Sequence, residues 1–357
     1  MATTDRAEFP GEMTQTSPRP AARRPATLQD VARTAGVSPS TASNALTGRR
    51  RVSPEALDAV NEAVRLLRYR VNGSARSLRT GATATMGLIA PDVTDPFYAE
   101  MVQSIERDAR DRGWSVILSD SGFDPEREAE SLRHMAATTD GVILFSTDPR
   151  RAPLSELPAD HVPVVACDEP IQAAGVGAVR SDNFGGGRLA AHHLVDAGGT
   201  RFAMIGGLGR LATSAERREG FLAGLRDRGV DSDRVLVVGR EYGLDGGRAA
   251  MRELLDVAPD TDAVFAPTDG QAIGAMFHAQ QSGRTIPDDL QLCGFDGIIW
   301  ASHLSPALTT VEQDRRAMAS RAIDLLLGMI AGEPAETVIL PVRLLAQGST
   351  RVGPRPA

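Results

Sequence analysis

From Met86 onward, short apolar runs alternate with longer amphipathic ones, and this alternation constrains the fold more than any other feature of the 357-residue chain. MGLIAPDVTDPF reads as a buried strand and a proline-bearing loop, with a helix following over residues 97–112. WSVILSDS, DGVILFS, VPVVACD, RFAMIGG, RVLVVGR, TDAVFAPTD and LQLCGFD are further strand candidates. Between them lie helical stretches such as GGRLAAHHLVDAG, SAERREGFLAGLRDRG, DGGRAAMRELLD and GQAIGAMFHAQQSG. Apolar strands separated by helices imply parallel sheets covered on both faces. The strands are too many for one comfortable sheet, so two doubly wound lobes are expected. Ligands in such sheets sit at the carboxyl ends of strands, and those ends carry Asp95, Asp168, Tyr242, Asp269 and Asp296.

The first eighty residues are of another kind. Residues 19–80 hold 12 Arg against 4 acids, a net +8, whereas residues 81–357 carry −13 within a chain of net charge −7. A small basic head on a large acidic body points to different partners for each, and for the head to a polyanion. The sequence contains no lysine, so all 39 basic residues are arginine, the side chain whose planar fork grips phosphate and guanine.

Order in the head is expected from Thr27, because Thr27-Leu28-Gln29-Asp30 has the layout of a capping box with Asp in place of Glu. The helix ends near Ala35, where Gly36 supplies a left-handed residue. Ser38-Pro39 then provides an N-cap and a first-turn proline for a second helix over about 39–46. Two helices joined so tightly cross steeply, as in a helix-turn-helix. At 100° per residue, Ala42, Ala45 and Leu46 share one face of the second helix, while Ser40 and Asn44 lie opposite. A small apolar inner face lets the helix pack closely; a short polar outer face can approach base edges, where Asn pairs with adenine. Arg49, Arg50 and Arg51 follow in a loop suited to phosphates, and Ser53-Pro54 starts a third helix with a stripe of Leu57, Val60, Val64 and Leu67. The other reading of such a charge run is a solvated loop on a small bundle. The tight turn, the uncharged outer face and the basic asymmetry together favour DNA binding.

Other classes find little support. Cys167 and Cys293 lie far apart without a CxxC spacing, pointing to a reducing compartment rather than a disulfide framework. No apolar run approaches a membrane span, and MATTDRAEFPGEM lacks a signal-peptide layout, so a cytoplasmic location is expected. The six histidines are scattered, and no metal or cofactor is expected. One enzyme-like feature exists: Gly207, Gly209 and Ala212 form a GxGxxA turn after a strand, with Asp227 further on. A lone fingerprint of this kind is weak support for a dehydrogenase. A stand-alone sugar-binding protein would need a signal sequence and would not need residues 27–80.

The segment TLQDVARTAGVSPSTASNALTGRRRVSPEALDAVNEAVRLLRYRVN resembles the DNA-binding head of LacI/GalR-type transcriptional regulators, and NGSARSLRTG is similar to their hinge helix. The likeness runs from Thr27 to about Thr350. It implies an α/β fold: an all-α helix-turn-helix head and two periplasmic-binding-protein-like lobes with doubly wound parallel sheets. It implies a homodimeric regulator, most simply a repressor, with duplex operator DNA and a small sugar-like effector as partners. DNA-contacting residues would be Thr27, Ser38, Pro39, Ser40, Thr41, Ser43, Asn44, Arg49, Arg50, Arg51, Asn72, Ala75, Arg76 and Leu78, the last wedging into the minor groove. Effector-contacting residues would be Phe97, Tyr98, Asp168, Arg217, Tyr242, Asp269, Asp296 and Trp300. The implied layout is a disordered tail (1–26), the head (27–72), a hinge (73–84), an effector and dimerisation domain (85–350) and a short tail (351–357). The lobes would comprise 85–183 with 313–342, and 184–312 with 343–350.

Overall fold

The computed structural model describes residues 26–47, 50–67, 69, 83–148, 161–171, 173–207, 209, 211–239 and 241–351. Arg49 and the hinge residues Asn72, Ala75, Arg76 and Leu78 lie outside these, as do the two expected tails apart from Ala26 and Arg351. The chain forms two units, residues 1–81 and 82–357.

Among its described residues the first unit contains three helices, α1 (Leu28–Thr34), α2 (Pro39–Thr47) and α3 (Pro54–Leu67). Both bonds of the capping box at Thr27 and Asp30 are present, Ala35 ends α1, and Gly36 has φ +67°. Ser38 Oγ accepts from the Thr41 amide at 3.0 Å, and Ser53 Oγ from that of Ala56 at 3.3 Å. Val31, Ala32, Ala42, Val60 and Ala63 form the centre of the core. Leu57 corrects the expected stripe: it is 39% exposed, and Ala63 is buried instead. The reason is angular, because the face pointing at α1 and α2 is centred on the Ala63 side of Val60, leaving Leu57 at its rim.

The second unit consists of two lobes, each with a six-stranded sheet. In the first, β1 (Thr85–Ala90), β2 (Ser115–Asp120), β3 (Gly141–Leu144), β4 (Val164–Cys167), β5 (Val176–Ser181) and β11 (Thr337–Leu340) run parallel in the order β11-β5-β4-β3-β1-β2. Helices α4 (Pro96–Asp111), α5 (Pro125–Thr138) and α10 (Arg315–Ile330) belong with it. In the second, β6 (Phe202–Ile205), β7 (Leu236–Val238), β8 (Ala263–Phe265), β9 (Gln291–Asp296), β10 (Thr309–Gln313) and β12 (Val342–Leu345) take the order β12-β10-β9-β8-β6-β7. Only β12 among these strands is antiparallel to its neighbour. Helices α6 (Asn183–Asp196), α7 (Ala212–Asp227), α8 (Gly243–Val257) and α9 (Asp269–Gln281) cover it.

β1, β3 and β4 are buried almost without interruption, as strands between two helical layers must be, whereas edge strand β2 leaves Ile117 and Leu118 exposed. Helices α6 and α7 approach backbone to backbone: a Cβ added at Gly187 would lie 2.1 Å from the Arg217 carbonyl oxygen. The same closeness joins α8 to α9, where a Cβ at Gly247 would sit 2.0 Å from the Gln271 oxygen.

Among the described residues the chain passes between lobes three times, with one residue between elements each time: Asp182 from β5 to α6, Asp314 from β10 to α10, and Pro341 from β11 to β12. Asp182 and Asp314 cap the helices they introduce, accepting from the amides of Gly185 and Ala317 at 2.8 and 3.0 Å. The sheet register sets these passages side by side, because Leu340 pairs with Ser181 and Val342 with Gln313.

Candidate functional site

The outer face of α2 carries Pro39 and Ser40 exposed, with Thr41, Ser43 and Asn44 half-buried, while Ala42 on the inner face is fully buried. The hydroxyls of Ser40 and Thr41 lie 2.7 and 2.8 Å from that of Ser38. These short polar groups are linked at the helix start and still reach solvent. Arg50 and Arg51, in the loop after α2, are exposed. Thr27 is turned inward: its hydroxyl donates to Asp30 Oδ2 at 2.7 Å, which makes it first a cap of α1.

The second constellation lies between the lobes, at the carboxyl ends of both sheets. Asp168 follows β4 in the first lobe, Asp296 ends β9 in the second, and Arg217 projects from the first turns of α7. Arg217 is only 3% exposed. Its Nε donates to Asn183 Oδ1 at 2.8 Å, and its Nη1 donates to the Pro267 carbonyl at 2.7 Å and to Asp296 Oδ1 at 3.3 Å. Nη2 faces Asp168 Oδ1 at 3.8 Å, and the guanidinium lies 3.9 Å over the Phe295 ring. Among the described residues Asp168 Oδ1 accepts no hydrogen bond. A buried cation thus has one end fixed by hydrogen bonds, while its other end meets only the Asp168 carboxylate, and both side chains line a cavity.

That cavity is lined by Asp95, Phe97, Tyr98, Phe123, Asp168, Leu211, Thr213, Arg217, Tyr242, Thr268 and Asp296. It has an accessible volume of about 30 Å³, room for a water or two. Its aromatic wall is built on α4: Tyr98 meets Phe97, Phe123 and Phe145 edge to face at 5.2, 6.3 and 5.6 Å. The Tyr242 hydroxyl bonds the Ser214 hydroxyl opposite. Asp168 and Asp296 both have positive φ, +69° and +117°. A side chain rarely occupies that region, and such strain gathers at functional sites.

Burial dominates the electrostatics. It raises the Asp168 carboxyl against the pull of Arg217 and Arg180, and raises Asp296 against that of Arg217. It also pushes Tyr242 up to about 12. Glu169 beside them is raised to about 7, first by burial and then by the charge of Asp168.

Two expected contacts need correction. Asp269 does not line the cavity: it is fully buried behind it, with Oδ1 accepting from the Thr310 hydroxyl at 2.6 Å and Oδ2 from the Ile298 amide at 2.9 Å. Its carboxylate fixes the turn after β9 that presents Asp296. Trp300 is 50% exposed and lines a separate outer groove of about 270 Å³ at the mouth of the cleft, together with Asp95 and Tyr242. The remaining expected residues, Phe97, Tyr98, Asp168, Arg217, Tyr242 and Asp296, converge on the inner cavity.

The sequence reading overlooked Asn183, which orients Arg217, and Gln313, whose Nε2 donates to Asp296 Oδ1 at 2.9 Å. It also overlooked Glu169 and Thr213. Asn183 and Gln313 flank lobe crossovers, a position that could have singled them out. Among the described residues no cluster of His, Cys, Asp and Glu could hold a metal, and no helix is long and apolar enough to cross a membrane.

Comparison with known proteins finds matches to the head and to much of the two-lobed unit. Residues 27–72 match "Bacterial regulatory proteins, lacI family", and residues 191–350 match "Periplasmic binding protein-like domain". The chain is 34% identical over 330 residues to the ribose operon repressor of Halalkalibacterium halodurans, covering 92% of this chain and 98% of that one. It is 36% identical over 335 residues to the HTH-type transcriptional regulator CelR of Thermobifida fusca, covering 91% and 96%. Among solved structures, a transcriptional regulator CelR–cellobiose complex aligns with TM-score 0.67 at 33% identity, over 91% of this chain and 99% of that one. The Lac repressor bound to ONPG in its repressed state aligns with TM-score 0.81 at 25% identity, over 92% and 100%. With a helix-turn-helix head, two doubly wound lobes and relatives matched over nearly their whole length, the chain belongs to the LacI family of bacterial transcriptional regulators.

Proposed function

We propose that this regulator is a homodimeric, cytoplasmic repressor that binds a near-palindromic operator through the outer face of α2, and that a neutral sugar-like molecule between its lobes sets its operator affinity. The observation that carries this reading is the half-committed arginine: Arg217 is fixed by Asn183, Pro267 and Asp296, while Nη2 meets Asp168 Oδ1 at 3.8 Å without a hydrogen bond, and both side chains line the cavity. A hydroxyl group, which both donates and accepts, fits between such a cation and such a carboxylate. The cavity lining carries three acids, Asp95, Asp168 and Asp296, against Arg217, a balance that favours a polyol over an anion. Phe97, Tyr98 and Tyr242 offer ring surfaces to the apolar faces of a sugar. Relatives point the same way, one being a ribose operon repressor and another CelR, whose solved complex holds cellobiose.

An inner cavity of about 30 Å³ is far below the volume of a typical small-molecule site. The lobes must therefore part to admit a sugar, and an effector acts by its differential affinity for the two lobe arrangements. Coupling of this kind typically changes affinity at the second site by about 1–3 kcal/mol. The exposed Ile117 and Leu118, on opposite faces of edge strand β2, leave apolar surface at that edge that a second copy would cover.

The dehydrogenase reading loses its anchor. A dinucleotide pyrophosphate would sit at the start of α7, and there the Glu169 carboxylate already accepts from the Ala212 and Thr213 amides, both at 3.0 Å. Asp227 pairs instead with Arg188 and His192. The direct test is to map the bound genomic sites. A fluorescent duplex of the recovered sequence is then titrated with the protein, with ribose or cellobiose added. Salt-sensitive binding that one of these sugars shifts supports the reading; binding to no duplex sinks it.

A further inference from the structure

The helix that carries Arg217 begins without a cap of its own. Leu211 occupies the N-cap position of α7 and makes no side-chain bond to the first turn, so amides that a Ser or Asp would normally satisfy need another partner. They find it across the cleft. Glu169, two residues beyond β4 in the first lobe, accepts from the Ala212 and Thr213 amides of the second lobe at 3.0 Å each, and from the Thr213 hydroxyl. The positive end of the α7 dipole faces this carboxylate. Beside it, Arg180 of β5 pairs with Glu216 of α7. The opposite wall has its own tie, in which Glu100 of α4 accepts from the Ile299 amide at 3.0 Å and from Arg315 Nε at 2.9 Å.

We propose that Glu169 is a positioning residue for the effector response: it acts as a latch, supplying from one lobe the missing cap of the helix that holds Arg217 in the other, so that the cleft shuts fully only when this contact is made. The inference rests on the two-lobed cleft and not on which molecule the cleft admits.

A latch of this kind carries a pH signature. Glu169 is 4% exposed, and burial followed by the neighbouring Asp168 raises it from an ordinary 4.5 to about 7. The other charged or titratable groups facing it are Tyr98 from α4, Arg217 from α7 and Tyr242 at the start of α8. Opening returns the carboxyl to water and toward its ordinary value. The closed form therefore holds the extra proton. Its advantage is full below about 4.5 and is lost as pH rises through about 7. Glutamine at this position removes that proton and that dependence while keeping one carbonyl acceptor in place.

The test needs no sugar. Hydrogen–deuterium exchange is followed on the full chain without ligand, corrected for intrinsic rates, at pH 5.5 and pH 8, for wild type, Glu169→Ala, Glu169→Gln and Thr213→Ala. With Glu169→Ala, the Ala212 and Thr213 amides are expected to exchange about tenfold faster, as for donors losing a buried partner. The decisive readout is the Ile299 amide on the opposite wall, which touches neither residue and should accelerate as well. In wild type its protection should fall between pH 5.5 and pH 8, and Glu169→Gln should flatten that change. If Glu169→Ala does not fold, Thr213→Ala reports from the other side of the same contact, with the same expectation at Ile299. Acceleration confined to residues 212–213, or an unchanged pH profile in Glu169→Gln, makes Glu169 a local cap and overturns the proposal.

Discussion

Replacing Arg217 with alanine tests the electrostatic design of the cleft, and its cost can be worked out from the contacts. The guanidinium is almost wholly buried and neutralises two carboxylates, Asp296 at 3.3 Å and Asp168 at 3.8 Å. Removing one partner of a buried ion pair typically costs about 3–5 kcal/mol, because the charge left behind is uncompensated. The Asn183 amide oxygen and the Pro267 carbonyl lose their donors too, although Asn183 Nδ2 keeps its bond to the Ser181 carbonyl. The cost should depend on pH, with a definite sign. Both carboxyls already sit above their ordinary range through burial, and Arg217 is what pulls them down. Without it they rise further, and a group raised in the folded state loses its stabilisation as pH climbs through its folded value. Each unit of extra shift corresponds to about 1.4 kcal/mol per group at high pH. Guanidinium denaturation followed by circular dichroism, at fixed protein concentration, should therefore give a loss near 4 kcal/mol at pH 8 that shrinks to about half by pH 5. A loss below about 1 kcal/mol, or one identical at the two pH values, refutes the claim that Arg217 compensates these carboxylates.

Four further outcomes are expected. Asn44→Ala should lower discrimination between operator and random duplex by about 1–3 kcal/mol, with random-duplex binding unchanged in anisotropy titrations. Ser38→Ala removes the N-cap of α2, and calorimetric melting of the head should show a loss of about 1 kcal/mol. Gly187→Ala pushes a methyl group against the Arg217 carbonyl, so it should cost about 1–3 kcal/mol in denaturation and shift α7 enough to blunt any effector response. Affinity for duplex should fall steeply with salt, and Arg50→Ala with Arg51→Ala should reduce the slope of log K against log salt by about 2.

How much was legible in advance depended on the range of the interactions. The head could be read closely because its signals are local: Thr27 finds Asp30 three residues away, and Ser38 finds Thr41. The strands that end at Asp168 and Asp296 were equally clear as apolar runs. Strands β5, β10, β11 and β12 were passed over because they are short or carry polar residues, as in VGAVRS and TTVEQ. Asp269 looked like a ligand because an acid at a strand-to-helix junction has the same local sequence whether it faces a cavity or a turn. Only its pairing with Thr310, 41 residues on, separates the two. Glu169 was invisible for the same reason, since its partners lie 43 and 44 residues away in another lobe. Leu57 was misplaced because its stripe was centred one position off the buried face, and Trp300 because the loop after β9 turns it into the outer groove.

The three single-residue crossovers have a mechanical meaning. Asp182, Pro341 and Asp314 stand abreast, like the knuckles of a door hinge. Sliding one sheet past the other would strain all three together, whereas swinging about the line through them strains none severely. Proline's ring locks φ, so the middle knuckle turns mainly about a single bond. The motion left to the lobes is thus a swing about one axis, set by where the backbone is stitched.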